Sequence, residues 1–245
     1  VLSLVQTGAA RVSSTVGTGR VREDLARIID HTLLKPEASR KQLDTLVDEA
    51  MQYGMATVCV NPVNVSYVAN RLKGSAVKTV AVVGFPLGAS LPAAKAFEAR
   101  EAIRSGAEEI DMVMNIGAMR SKDYKLVYDD IKAVVDAVKP RPVKVILETA
   151  SLSHDEKVIG CAFSKVAGAA FVKTSTGFGK GGATTEDVAL MRSVVGSAMG
   201  VKASGGIHST ADAEAMVKAG ATRIGASASV AIVTGKKKTA KAAGY

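Results

Sequence analysis

Residues 109–149 read EIDMVMNIGAMRSKDYKLVYDDIKAVVDAVKPRPVKVILET, and the change of apolar period along them decides the fold. Short apolar runs at 109–116 and 143–149 flank a stretch, 124–138, in which Leu126, Val127, Ile131, Val134, Val135 and Val138 share one helical face. Strand, helix, strand is a βαβ unit, whose two strands run parallel because the helix carries the chain back to its starting edge. Parallel strands are covered on both faces and should be apolar throughout. Asp111 and Lys144 break that rule, one in each strand.

The same alternation continues in both directions. Runs at 28–32, 56–61, 78–85, 170–176, 200–205 and 223–227 bring the strands to eight. Helical spacing fills 40–53 (apolar stripe Leu43, Leu46, Val47, Ala50), 92–105, 155–167, 185–198 and 211–219. Gly106, Gly168 and Gly220, each followed by Ala and then a strand, read as left-handed helix ends. Eight βα units in strict order predict an α/β protein, a single-domain TIM (β/α)8 barrel over 23–235. A doubly wound open sheet is the alternative built from the same units. Residues 1–22 read as a disordered N-terminal extension, and 236–245 as a flexible basic tail ending in Tyr245.

A net charge of +9 over 245 residues permits nucleic-acid binding, but with 4% aromatic residues and no Trp there is no stacking platform; a phosphorylated, anionic substrate suits the charge instead. Cys59 and Cys161 form no disulfide framework or zinc motif, and His31, His154 and His208 lack metal-ligand spacing. No apolar run approaches the roughly 20 residues of a membrane span, so a cytoplasmic protein without membrane or nucleic-acid partners is expected. Gly177-Phe-Gly-Lys-Gly-Gly182 formally matches a dinucleotide fingerprint, yet the next strand, Val201-Lys-Ala-Ser-Gly205, lacks the acidic residue that would hold a ribose.

Polar residues recur within the apolar strands: Asp30, Cys59, Asp111, Lys144, Lys173 and Lys202. Because strand side chains alternate, Lys173 shares a face with Ser175, and Lys202 with Ser204, which makes the polar face the barrel interior. Buried ammonium groups must be paired or give up their charge. A lysine whose charged form is disfavoured by desolvation and a second cation becomes a nucleophile, so Lys173 beside Lys202 is placed to form an imine, with Asp111 moving protons. That is class I aldolase chemistry. Gly205 and Gly206 after the seventh strand, and Gly225 to Ser227 after the eighth, occupy the positions where barrels often bind phosphate.

Seven motifs stand out: Asp30-His-Thr-Leu-Leu-Lys35, Val58-Cys-Val-Asn-Pro62, Glu109-Ile-Asp-Met-Val-Met-Asn115, Lys144-Val-Ile-Leu-Glu-Thr149, Phe171-Val-Lys-Thr-Ser-Thr-Gly177, Val201-Lys-Ala-Ser-Gly-Gly206 and Gly225-Ala-Ser227. Through them, from about residue 25 to 235, the chain resembles the deoxyribose-phosphate aldolase family. The resemblance implies reversible cleavage of 2-deoxy-D-ribose 5-phosphate to acetaldehyde and D-glyceraldehyde 3-phosphate, without metal or organic cofactor. It implies Lys173 as the imine-forming lysine, Lys202 as its pKa-perturbing partner and Asp111 as acid/base. Asp30, Thr32, Cys59, Lys144, Thr176 and Gly177 are expected to support the substrate pocket, with Gly205, Gly206, Gly225 and Ser227 toward the phosphate. Some relatives carry lysine and arginine where this chain has Phe178 and His208, and some also end in tyrosine, which makes Tyr245 a candidate proton donor. A homodimer is compatible. A transaldolase-like enzyme and a silent sugar-phosphate-binding barrel are the competing readings.

Overall fold

A computed structural model describes residues 21–235. The terminal segments 1–20 and 236–245, and with them the expected tail and Tyr245, lie outside the described residues. The strands are β1 (Ile29–Leu33), β2 (Thr57–Val60), β3 (Lys78–Val83), β4 (Glu109–Val113), β5 (Val143–Ile146), β6 (Phe171–Lys173), β7 (Gly200–Ser204) and β8 (Arg223–Ala226). They are parallel and follow one another in sequence order around a closed barrel. Closure is made by β1 on β8, with Ile29 opposite Ile224 and Asp30 opposite Gly225, which removes the open-sheet alternative.

The described helices are α1 (Glu23–Ala26), α2 (Arg40–Tyr53), α3 (Val65–Leu72), α4 (Pro92–Arg104), α5 (Ile116–Arg120), α6 (Tyr124–Val138), α7 (His154–Ala167), α8 (Thr185–Val195), α9 (Thr210–Lys218) and α10 (Ser229–Thr234). Their ends are set locally. Ser39, Ser153 and Ser209 form capping boxes with Gln42, Glu156 and Asp212. At the other end of α7, Gly168 takes the left-handed conformation at φ 89°. The large apolar cluster packs the outward strand residues, such as Ile110, Val145, Val172 and Val201, against helix stripes that include Leu43, Val47, Ile131 and Val134. A second, smaller cluster of Leu34, Cys59, Val80 and Val82, with Phe85 against it, lies on the opposite strand face, inside the barrel.

Several boundaries differ from those read in the sequence. The third and fourth strands stop at Val83 and Val113, because Gly84 turns at φ 58° and Asn115 caps α5 with its side-chain oxygen. The sixth stops at Lys173. The helix expected to reach residue 198 ends at Val195, where Gly196 leaves helical geometry. The short helices α1, α3, α5 and α10 were not legible as periodic segments. Residues 21 and 22 belong to the described fold rather than to an extension: Arg22 N–H donates to the Val233 carbonyl at 2.9 Å.

His31 faces outward from β1, and its ring nitrogens lie 2.9 Å from Ser229 Oγ and 2.9 Å from Glu49 Oε2, so it ties the strand to α10 and α2. Lys95 on α4 is fully buried, donating to Asp130 Oδ2 on α6 at 2.7 Å and to the Val113 carbonyl at 2.8 Å. Burial pushes the lysine down and the aspartate up, so both are drawn toward their neutral forms. Among the described residues no helix is long and apolar enough to cross a membrane.

Candidate active site

The parallel register brings the interior charges together. Asp111 on β4 pairs across to Lys144 on β5, and Lys173 on β6 to Lys202 on β7. Asp111 is the hub: its Oδ2 accepts from Lys173 Nζ at 2.8 Å and from Lys202 Nζ at 2.7 Å, while its Oδ1 accepts from Lys144 Nζ at 2.8 Å. Lys202 also donates to Asp30 Oδ2 on β1. Gly225 makes room for this arrangement, because a Cβ there would come within 2.9 Å of Lys202 Cε. It thus lies inside β8, under the lysine stem, rather than after the strand.

The lysines sit in one cluster but differ in charge. For Lys173, burial disfavours the ammonium, Asp111 opposes that, and Lys202 adds to it; the net direction is below the ordinary lysine range. For Lys202, burial acts the same way, yet Asp111 and Asp30 together overcome it and hold the ammonium above that range. Burial also opposes ionisation of Asp111, but Lys144, Lys173 and Lys202 keep its carboxyl well below the usual carboxylate range. Cys59, buried beside the cluster, has its thiol pushed up to about 11 by burial and remains protonated at neutral pH. The side chains of Lys144 and Lys202 are 0% exposed, whereas Lys173 shows 3% toward the barrel mouth.

Above Lys173, the chain rises into the loop 174–184. Thr176 is buried and both its backbone N–H and its hydroxyl donate to Glu148 Oε2, which holds the loop down. Glu148 adopts φ 57°, a strained value for a non-glycine residue, and Gly179 is packed against its carboxyl so closely that a Cβ there would meet it at 2.9 Å. The loop then touches the β7 end: Ala183 N–H donates to the Gly205 carbonyl at 3.0 Å. Gly177, Gly205 and Gly206 all have positive φ, and Ser227 follows β8 half-buried. Phe178 meets the Phe85 ring edge-on at 5.4 Å.

Residues 25–239 match the model of the DeoC/LacD family aldolases. The chain belongs to that family. It is 58% identical over 216 residues to a deoxyribose-phosphate aldolase of Clostridium perfringens strain SM101, covering 88% of this chain and 96% of that protein. A deoxyribose-phosphate aldolase of Streptococcus gordonii is 58% identical over 212 residues, 86% of this chain and 96% of its own length. Among solved structures, the tetrameric deoxyribose phosphate aldolase of Aeropyrum pernix superposes with a TM-score of 0.81 at 35% identity, covering 95% of this chain and 96% of that one.

In this aldolase Asp30, Asp111, Lys144, Lys173 and Lys202 converge on one interior cluster, with Cys59 beside them. Thr32 stands on the inward face of β1, its hydroxyl donating to the Asp30 carbonyl at 2.8 Å. Sequence reasoning missed three charged residues of the site. Glu109 and Arg223, the first residues of β4 and β8, reach Lys144 and Asp30 from the barrel floor. Glu148 supports the loop after β6. The two-residue strand period was a usable signal for Glu109, which must share the face of Asp111. Among the described residues, no three His, Cys, Asp or Glu side chains are grouped as metal ligands.

Proposed function

We propose that this aldolase reversibly cleaves 2-deoxy-D-ribose 5-phosphate into acetaldehyde and D-glyceraldehyde 3-phosphate through an imine on Lys173. The observation that carries the reading is a buried lysine, held toward its neutral form, hydrogen-bonded to an ionised carboxylate at the open end of a parallel barrel. The neutral amine adds to the substrate's C1 aldehyde, and loss of water gives a protonated imine. Removal of the C3 hydroxyl proton breaks the C2–C3 bond, whose electrons flow into the imine to leave an enamine and release the aldehyde phosphate. Protonation of the enamine at C2 and hydrolysis free acetaldehyde and restore Lys173. Asp111 receives protons in these transfers, and the Lys202 ammonium, on the same carboxylate oxygen, can return them. Tyr245, from the terminal segment, is a further donor candidate for the enamine step.

The imine itself serves as the electron sink, so the chemistry calls for neither metal nor organic cofactor. The substrate's phosphate is assigned to the backbone of Gly177, Gly205 and Gly206 together with Ser227. A cytoplasmic setting accords with two buried free cysteines, and a homodimer is compatible with this reading. The direct test is enzymatic release of acetaldehyde from deoxyribose 5-phosphate; no release alongside transaldolase-type transfer would assign the barrel to another imine-forming reaction.

The phosphate assignment has its own test. Ser227→Asp places a carboxylate against the phosphate, so KM for deoxyribose 5-phosphate should rise by about tenfold or more, while unphosphorylated deoxyribose is affected far less. Equal losses on both substrates would put the phosphate elsewhere.

A further inference from the structure

Six charged side chains inside the barrel form a closed ring of alternating sign. Arg223 Nη1 donates to Asp30 Oδ1 at 2.8 Å, and Asp30 Oδ2 accepts from Lys202. Lys202 Nζ reaches Asp111 Oδ2 at 2.7 Å, and Asp111 Oδ1 accepts from Lys144 at 2.8 Å. Lys144 Nζ lies 2.7 Å from Glu109 Oε2, which in turn accepts from Arg223 Nη1 at 3.2 Å and closes the ring. Arg223 is built into the floor: its guanidinium lies over the Phe171 ring at 5.2 Å, and Gly200 leaves space for that ring, since a Cβ there would meet it at 2.1 Å.

Three cations and three anions sum to zero, and each has an opposite charge on both sides. Lys173 hangs from this ring as a seventh member, sharing with Lys202 the one oxygen, Asp111 Oδ2, that both contact. A fourth cation added to a neutral buried ring has no anion of its own, so the ring accommodates the Lys173 amine better than its ammonium. The groups that face Lys173 are Asp111 from β4, Lys202 from β7 and the Cys59 thiol from β2. On β5 its register partner is the apolar Ile146, with Lys144 reaching Asp111 from the layer below. Asp30 from β1 acts on it through Lys202, and Arg223 from β8 acts through Asp30.

We propose that Glu109 and Arg223 are positioning residues that fix the net charge of this ring and thereby set the protonation of Lys173. The inference rests on Lys173 as the imine-forming lysine. Each residue touches the ring but not Lys173, and together they complete its charge balance from the end of the barrel opposite the substrate.

The test is the pH dependence of borohydride-trapped acetaldehyde on Lys173, located by peptide mapping. Glu109→Gln leaves the ring with one excess positive charge, so the midpoint for trapping should move down by about one pH unit. Arg223→Met leaves one excess negative charge and should move the midpoint up by a similar amount. The double variant restores neutrality and should return close to the parent. A purely structural role would not produce opposite shifts that cancel. Single variants that shift together, or not at all, while the adduct stays on Lys173 overturn the proposal but leave the imine reading intact; an adduct on another lysine in the parent overturns both. Should Arg223→Met not fold, Glu109→Gln decides alone: an acid-ward midpoint supports the proposal, and an unmoved one refutes it.

Discussion

Lys173→Met is expected to lower turnover of deoxyribose 5-phosphate by at least about 10⁴-fold, because it removes the nucleophile through which every later step passes. The trapped acetaldehyde adduct should disappear with it. The alternatives are close at hand, since Lys144 and Lys202 hydrogen-bond the same carboxylate, but both are fully buried and both are held as ammonium ions by flanking acids. A protonated lysine has no lone pair to offer a carbonyl. The substitution removes an amine whose charged form the interior disfavours, so the fold should survive and thermal stability should not fall. In the parent enzyme, trapping should rise with pH around a midpoint below the about 10.4 of a free lysine, since burial and Lys202 disfavour the charged form of Lys173. An adduct that persists in the variant, mapped to Lys202 or Lys144, would remove Lys173 from the mechanism.

What the sequence revealed and what it concealed have physical causes. Parallel strands are apolar on both faces, so Asp111, Lys144, Lys173 and Lys202 announced themselves as violations of a strong rule. Glu109 and Arg223 broke no such rule, because polar residues are ordinary where a strand begins. Lys95 and Asp130 were hidden for a related reason: charges on amphipathic helices normally face water, and only the packing of α4 against α6 buries this pair. The left-handed backbone of Glu148 is a tertiary effect, sustained by Thr176 above it and Gly179 against its carboxyl, and no local signal precedes it. Gly225 was read as following the eighth strand, but it lies within it, because packing of the Lys202 stem against the strand leaves no local trace in the sequence.

Asp111→Asn should act on catalysis and stability at once. The amide keeps the shape of the carboxyl but loses the charge on which three lysines converge, along with its capacity to take up protons, so kcat should fall by at least about 100-fold. The same change leaves an interior with more cations than anions, at a cost of about 3–5 kcal/mol at neutral pH by analogy with broken buried pairs. The sign of its pH dependence follows from the folded-state carboxyl, which is held well below its unfolded value near 3.9. Its stabilisation is therefore present throughout the neutral range and is lost only as the pH falls through that depressed value. In the variant this contribution is missing at neutral pH, while raising the pH discharges the crowded lysines and relieves the repulsion. The gap between variant and parent, measured by urea unfolding, should thus narrow from pH 7 toward pH 10. A gap that stays constant would mean that Asp111 stabilises the barrel by shape and hydrogen bonding alone, and near-normal turnover in the folded variant would exclude it as the proton acceptor.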